Sequence, residues 1–344
     1  MKAAAVGPPG EVEWIELDTP IPRAGEVLLR PLACGICTTD VKRVRAGYNG
    51  GPRYVLGHEL VGEVVAAGEG AKWQVGDRVV AAPYISCGAC HFCRQGQPTL
   101  CPHLFESNLD PGGLAERVRI PRPLAERGLF PLPDGLPVEV AALAEPLGCC
   151  IQAVEACRVS AGDAVLIVGD GPMGLMNAAV AKVWGASPVI VAGLTSHRLA
   201  VAQKHYADAV VNVAETDLSD FVADLTAGRG ADVVIVAVSS AQAVESGLTT
   251  LRAGGVLNVF AGVPEGTTIP LDLRRLHYQQ LHLTGSFGVG PRHMARALQL
   301  LSNGQVNGAP LVTGRFPFER TPEAVAYAAG QVGLKAIVIF EQSR

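Results

Sequence analysis

The 344-residue sequence is poor in aromatic residues and in charge of either sign. Aromatic residues make up 5% of the chain and charged residues 17%, and the formal net charge is −4. A slightly acidic chain with few aromatic side chains lacks the basic surfaces and stacking platforms that nucleic-acid-binding proteins use. We therefore expect a small-molecule partner, and neither nucleic acid nor an anionic membrane as the main target.

Long apolar runs and export signals are also missing. No stretch of 18 apolar residues occurs, which argues against a transmembrane helix, and Met1–Gly10 has no secretory signal pattern. Nine cysteines are present, and four of them lie between residues 87 and 101. In a chain without an export signal, crowded cysteines indicate metal ligands rather than disulfides. We therefore expect a cytoplasmic protein.

The pattern of the chain changes near Ala141. Before it, short β-branched segments alternate with glycine and proline turns. After it, apolar strands alternate with helical stretches, which is typical of a parallel sheet with both faces covered. Beyond residue 290 the chain returns to helix and loop and ends in a strand. The sequence predicts an α/β protein, with residues 1–148 and 290–344 forming a β-rich domain and residues 149–289 forming a doubly wound parallel-sheet domain.

A glycine-rich turn opens the second domain. Residues 165–174 combine an apolar strand, a G-x-G-x-x-G turn and the start of a helix. Gly169 permits the tight turn, Gly171 lets the backbone approach a pyrophosphate, and Gly174 lets the helix pack on the strand. Pro172 and Met173 begin the helix, whose N-terminus supplies unpaired backbone N–H groups for the phosphates. The turn predicts a Rossmann dinucleotide-binding domain, and an ordinary glycine-rich α/β turn is the alternative.

The next strand lacks the acid that usually binds the adenosine ribose of NAD. It ends in Gly193, and Thr195, Ser196 and Arg198 follow as possible donors to a 2′-phosphate. This pattern favours NADP. The alternative is that Arg198 is a surface helix residue and that either cofactor is used.

Four cysteines form a C-x2-C-x2-C-x7-C loop that suits a closed zinc site. Four thiolates complete a tetrahedral shell, which leaves no open position and indicates a structural metal. Buried free thiols are one alternative, and an iron–sulfur cluster is another whose usual cysteine spacings differ. The predicted ligands are Cys87, Cys90, Cys93 and Cys101.

A second set of possible ligands is spread along the chain. Cys37, His58, Glu59 and Glu145 offer a thiolate, an imidazole and carboxylates, which suit a zinc ion with one open position. Taken singly, each has a simpler interpretation as a core or helix-start residue. Their joint presence beside the four-cysteine loop and the glycine turn favours a catalytic zinc.

The sequence resembles the zinc-dependent medium-chain dehydrogenases, the family of alcohol and sorbitol dehydrogenases, over essentially its whole length. The resemblance implies a GroES-like catalytic domain beside the Rossmann domain, and a homotetramer or homodimer. The Glu145-Pro146-Leu147 element resembles the corresponding element of the polyol and sorbitol dehydrogenase branch. Classical alcohol dehydrogenases have a cysteine at the ligand position that Glu145 takes here. The matching motifs are Gly35-Ile36-Cys37-Thr38-Thr39-Asp40, Gly57-His58-Glu59, Gly76-Asp77-Arg78-Val79, the four-cysteine loop, Glu145-Pro146-Leu147 and Gly169–Gly174.

The same resemblance implies individual roles. Cys37 and His58 would bind catalytic zinc, with the carboxylate of Glu145 or Glu59 as a further ligand. Thr39 matches the residue that bonds the substrate oxygen and starts a proton relay, and Asp40 would support the site. The family often has a histidine at the end of that relay, where this chain has a lysine, Lys42.

The resemblance implies hydride transfer between a secondary alcohol and NAD(P), with zinc as the Lewis acid. The expected substrate is a polyol, sugar or sugar acid, and a threonine-type amino acid or a simple secondary alcohol is the alternative. A zinc-free quinone reductase and a non-enzymatic zinc-stabilised binding protein are more distant alternatives. Zinc content separates them: two ions per chain for the enzyme, one for the binding protein and none for the reductase.

Overall fold

The computed structural model describes residues 1–51 and 53–341 and divides the chain into two compact units. Unit 1 contains Met1–Glu145, Val289–Gly304 and the segment from Leu311 onward, whereas unit 2 contains Pro146–Gly288 and Gln305–Pro310. No helix among the described residues is long and apolar enough to span a bilayer.

The strands alternate with helices from about residue 165 and dominate the chain before it. The strands of the described residues are β1 (Lys2–Val6), β2 (Val12–Glu16), β3 (Val27–Gly35), β4 (Glu59–Ala67), β5 (Arg78–Ala81), β6 (Val118–Ile120), β7 (Leu129–Pro131), β8 (Val165–Val168), β9 (Val189–Gly193), β10 (Ala209–Asn212), β11 (Ala231–Val236), β12 (Leu251–Val259), β13 (His282–Gly285), β14 (Val312–Pro317) and β15 (Lys335–Ile339). The α-helices are α1 (Thr38–Ala46), α2 (His91–Arg94), α3 (Arg122–Arg127), α4 (Val138–Ala141), α5 (Ala144–Ala156), α6 (Pro172–Val183), α7 (Ser196–His205), α8 (Leu218–Leu225), α9 (Ala241–Thr249), α10 (Leu273–Tyr278), α11 (Pro291–Ser302) and α12 (Thr321–Ala329).

Unit 1 is built on a mixed sheet with the strand order β14-β15-β3-β4-β5-β7, and β6 also pairs with β3. Strand β3 is buried along nearly its whole length, which fits its almost unbroken apolar sequence. The sequence predicts helix and loop between residue 290 and the last strand, and this is wrong for β14. Gly314 and Pro317 resemble turn signals there, but parallel pairing with β15 stabilises the segment as a strand.

Unit 2 contains a six-stranded sheet with the order β10-β9-β8-β11-β12-β13, and every neighbouring pair is parallel. Strands β8, β9 and β11 are buried at every position, because helices cover both faces of the sheet. The reversal of strand order beside β8 is the point at which such sheets bind ligands at their carboxyl ends. The predicted α/β fold with a doubly wound parallel sheet is confirmed.

Candidate metal and cofactor sites

Cys37 lies at the junction of β3 and α1, where it is the N-cap residue of the helix. The carboxylate of Asp40, in the first turn of α1, accepts the backbone N–H of Cys37 at 2.9 Å. The other oxygen of the same carboxylate accepts the N–H of Gly57 at 3.0 Å and lies 3.8 Å from Nδ1 of His58. The fully buried Asp40 therefore ties the Cys37 segment to the His58 segment.

His58 and Glu59 lead into β4, and two glycines make room for them. Gly57 has a φ of +86°, and a side chain there would collide with Leu114 and Cys34. A side chain at Gly35 would occupy the place of the Glu59 carboxylate. The close approach of β3 and β4 therefore brings Cys37, His58 and Glu59 together, and their candidate ligand atoms lie within 4.8 Å of one another.

Glu59 forms an ion pair with Lys335, a residue that sequence analysis missed. Nζ of Lys335, the first residue of β15, lies 2.5 Å from Oε1 of Glu59 and donates to the carbonyl oxygen of Ile36 at 3.0 Å. Both side chains are almost completely buried. Burial alone would lower the pKa of Lys335, but the charges of Glu59 and Cys37 raise it, so the lysine stays charged. The only signal in the sequence is a lysine that precedes an apolar strand.

Glu145, the second residue of α5, is buried near the same cluster. Burial alone would lower the pKa of His58, but the nearby negative charges of Asp40, Cys37 and Glu145 raise it well above its ordinary value. Cys34, by contrast, is a core thiol whose pKa is raised well above its ordinary value by burial. The cluster thus concentrates negative charge in a buried place, which a divalent cation would offset.

Thr39 and Lys42 lie on the exposed side of α1. The Cys37 thiol lies 3.7 Å from Oγ1 of Thr39, which places the hydroxyl beside the candidate ligands. Lys42 is exposed, so burial does not prepare it for the proton relay that the resemblance implies.

The donor set fits zinc. Oε2 of Glu59 is buried and has no hydrogen-bond partner within the described residues, so this carboxylate has an acceptor without a donor. A thiolate, an imidazole and a carboxylate are ligands that zinc takes in catalytic sites. Cys37, His58 and Glu59 could hold the ion, and Glu145 is near enough to act on the same charges.

The four-cysteine loop forms a second cluster on the surface of unit 1. Sγ of Cys93 lies 3.5 Å from Sγ of Cys90 and 4.0 Å from Sγ of Cys87, and all four thiols lie within 4.8 Å of one another. The backbone N–H groups of Ala89 and Cys90 lower the pKa of the Cys87 thiol to about 6. Because thiolates are the form that binds metal, this loop fits a closed zinc site of four sulfur ligands.

The glycine turn has the geometry that a dinucleotide requires. Gly169 has a φ of +128°, and a side chain there would collide with Val238. A side chain at Gly174 would collide with the carbonyl oxygen of Gly169, so this glycine allows α6 to pack on β8. Space is open beside Gly171, the N-cap of α6, where a pyrophosphate could approach the backbone N–H groups.

At the end of β9, the structure contradicts the alternative that Arg198 is a surface helix residue. Arg198 is not a surface residue: it is 5% exposed, because it turns inward beside Asp170. Thr195 is the N-cap of α7, and Ser196 is its first residue and is exposed. Asp170, the residue between the first two glycines of the turn, was missed as a functional candidate.

Comparison with known proteins identifies the family. The family model of the zinc-binding dehydrogenases matches residues 172–303, and that of the alcohol dehydrogenase GroES-like domain matches residues 23–134. Sorbitol dehydrogenase of Bacillus subtilis is 32% identical over 335 residues, which span 95% of this chain and 93% of that enzyme. L-threonine 3-dehydrogenase of Pyrococcus horikoshii is 34% identical over 339 residues, with 93% of each chain covered.

A solved structure of a zinc-binding dehydrogenase from Sinorhizobium meliloti, bound to NADP, has a TM-score of 0.89 and 29% identity, and 98% of each chain is covered. The fold and the two clusters define an NAD(P)-linked oxidoreductase of the zinc-binding class. The chain belongs to the zinc-dependent medium-chain dehydrogenases, the family of alcohol and polyol dehydrogenases. The predicted family, enzymatic activity and requirement for zinc and NAD(P) are confirmed, whereas the preference for NADP stays a prediction.

Proposed function

We propose that the chain interconverts a polyol-type secondary alcohol and its ketone, with catalytic zinc held by Cys37, His58 and a carboxylate of Glu59 or Glu145. The observation that carries this assignment is the cluster of zinc-type donors at Cys37, His58 and Glu59, in which Oε2 of Glu59 is buried and has no hydrogen-bond partner within the described residues. An enclosed carboxylate oxygen without a donor is costly unless a cation binds it.

The residues around the cluster have separate roles in orienting the ligands and in moving the substrate proton. Asp40 fixes the backbone of Cys37 and Gly57, so the thiolate and the imidazole stay oriented when a substrate enters. The Thr39 hydroxyl can accept the substrate proton while it donates its own proton to water, because Thr39 is exposed, so the relay does not need Lys42. When bound, zinc supplies Lewis acidity at the substrate oxygen and the nicotinamide accepts the hydride.

Four cysteines, Cys87, Cys90, Cys93 and Cys101, would hold a structural zinc ion. Their contribution is to stiffen the loop, because a closed site of four sulfur ligands offers no position to a substrate. We therefore expect two zinc ions per chain.

The polyol assignment follows from the likeness to the Bacillus subtilis sorbitol dehydrogenase and from the acid at Glu145. The second candidate substrate is a threonine-type amino acid, which the similarity to L-threonine 3-dehydrogenase favours.

The test is a turnover assay that follows nicotinamide absorbance with protein shown to hold two zinc ions. Polyols, sugars, sugar acids, threonine and simple secondary alcohols are compared at equal concentration with each cofactor. Highest kcat/KM on a polyol or sugar supports the proposal. A clear preference for threonine would replace it with the second candidate.

A cytoplasmic homodimer or homotetramer is the expected form of the enzyme. The edge strand β13 supports self-association, because three of its four residues are exposed and Leu283 is 38% exposed. Light scattering behind a sizing column tests this, and a monomeric mass at micromolar concentration would contradict it.

A further inference from the structure

The side-chain position at the end of β9 is occupied, although Gly193 has no side chain. A Cβ built on Gly193 would lie 2.5 Å from both Cβ and Oδ2 of Asp170. Asp170 belongs to the glycine turn after the neighbouring strand β8, yet its carboxylate fills the place where a side chain from β9 would begin. The strand end therefore carries an acid that does not come from the strand itself.

Hydrogen bonds hold this carboxylate in one position. Oδ2 of Asp170 accepts the backbone N–H groups of Leu194 at 2.9 Å and Thr195 at 2.7 Å. Oδ1 takes neither of these bonds and lies 3.9 Å from the guanidinium of Arg198. Asp170 and Arg198 are 8% and 5% exposed, so both charges are fixed and largely shielded from water.

The groups that would otherwise bind a 2′-phosphate already face the carboxylate of Asp170. Two backbone donors beside the strand end are already bound to Asp170, and the positive charge of Arg198 is opposed by the same carboxylate. A ribose 2′-hydroxyl can donate to an acid at this place, whereas a phosphate carries close to two negative charges at pH 7 and is repelled by it.

We propose that Asp170 is the specificity-determining residue for the adenosine ribose and that it makes this chain prefer NAD(H) to NADP(H). It replaces the missing acid at Gly193, which is the feature that favours NADP in the sequence alone. The proposal rests on the dinucleotide-binding role of the turn but not on the identity of the alcohol.

The test measures binding without any alcohol or ketone. Dissociation constants of NADH and NADPH are determined by nicotinamide fluorescence on the full-length, zinc-loaded protein. We expect NADH to bind at least about tenfold more tightly in the wild type. Asp170→Asn keeps the size of the side chain but removes its charge, so the preference should move at least about tenfold towards NADPH.

A matched control lies at the opposite end of β9. Asp208 accepts the N–H of Val189 at 2.8 Å and pairs with Lys182, so it too is a carboxylate bound to this strand. Asp208→Asn should leave the ratio of the two dissociation constants unchanged. Arg198→Gln added to Asp170→Asn should remove the gain for NADPH, because the guanidinium of Arg198 is the positive group at this place that is expected to bind the phosphate.

Asp170→Ser serves as a second variant if the asparagine variant does not fold, and competition between AMP and adenosine 2′,5′-bisphosphate gives an independent measure on the wild type. A wild type that prefers NADPH, or a folded Asp170 variant with an unchanged ratio, would overturn the proposal alone. Binding of neither dinucleotide would overturn the proposed function as well.

Discussion

The two candidate zinc sites of unit 1 are assembled in opposite ways. The ligands of the four-cysteine loop all come from residues 87–101, and Cys87 at its start is exposed. The other site takes Cys37 from the β3–α1 junction and Glu59 from β4, and it depends on Lys335 from the far end of the sequence. One site is local and accessible to solvent, whereas the other exists only when the mixed sheet has formed.

The two sites also differ in how their charges are balanced. In the loop, the backbone N–H groups of Ala89 and Cys90 stabilise the thiolate of Cys87, which is exposed. In the buried site, Asp40 and Glu59 are fully buried. Within the described residues, Glu59 forms an ion pair with Lys335. Buried charges need a partner of opposite sign. We infer that the metal in the loop serves local stability and that the metal in the buried site serves the reaction.

The largest expected effect is the loss of turnover in Cys37→Ser. On the proposed assignment, removal of the thiolate takes away one ligand of the catalytic ion, whose Lewis acidity supplies several kcal/mol of transition-state stabilisation. We expect kcat/KM to fall at least about a thousandfold and zinc content to fall from two ions to one, while far-ultraviolet circular dichroism stays unchanged. Turnover and metal analysis on the same sample measure both.

The matched control is Cys93→Ser in the loop, which also replaces a single sulfur ligand. It should cost one zinc ion and make the segment around residues 87–101 more sensitive to protease, while the folded enzyme keeps kcat within a few-fold of the wild type. Equal loss of turnover in the two variants would contradict the division of roles between the sites.

A smaller effect is expected from Lys335→Met, which leaves Glu59 buried without its cation. Breaking a buried pair by removing one partner costs about 3–5 kcal/mol, and we expect a loss of this size in the free energy of unfolding of the zinc-free protein. Zinc should reduce the loss, because it provides another positive charge at the same carboxylate.

Urea unfolding with and without a chelator measures the difference, and Lys42→Met is the control because Lys42 is exposed on α1. The control should change stability by no more than about 0.5 kcal/mol. If both variants unfold alike in the absence of zinc, the pairing of Lys335 with Glu59 does not stabilise unit 1.

The same contrast explains which features were visible in the sequence. Spacing alone identifies the four-cysteine loop and the turn at Gly169–Gly174, because their residues are neighbours along the chain. The partnership of Glu59 with Lys335 spans 276 residues and leaves no periodic signal. Asp170 was hidden for a similar reason, because its carboxylate acts at the end of β9 although it belongs to the turn after β8. Strand β14 was missed because pairing outweighs its glycine and proline.

The smallest effect concerns Asp232 of unit 2, a buried carboxylate balanced by protein cations. It accepts hydrogen bonds from Arg229 at 2.7 Å, from the N–H of Ala164 at 2.8 Å and from Arg252. Burial alone would raise the pKa of Asp232, but these donors lower it below the ordinary value. Its stabilising contribution is therefore complete above the unfolded-state pKa of about 4 and is lost as the pH falls through the lower folded-state value.

Asp232→Asn should lower the free energy of unfolding by about 1–3 kcal/mol at pH 7, because the hydrogen bonds lose their charge. Urea unfolding of the full-length protein at pH values between 7 and 3 should show this difference in the free energy of unfolding shrinking below about pH 4. The control is Asp224→Asn, which replaces an exposed acid on α8 and should leave the pH dependence of stability as in the wild type. A difference that stays constant across this range would contradict the assignment. Chelation should not alter the Asp232 effect, since arginines rather than a metal balance this charge, and that result would separate it from the zinc-dependent loss expected at Lys335.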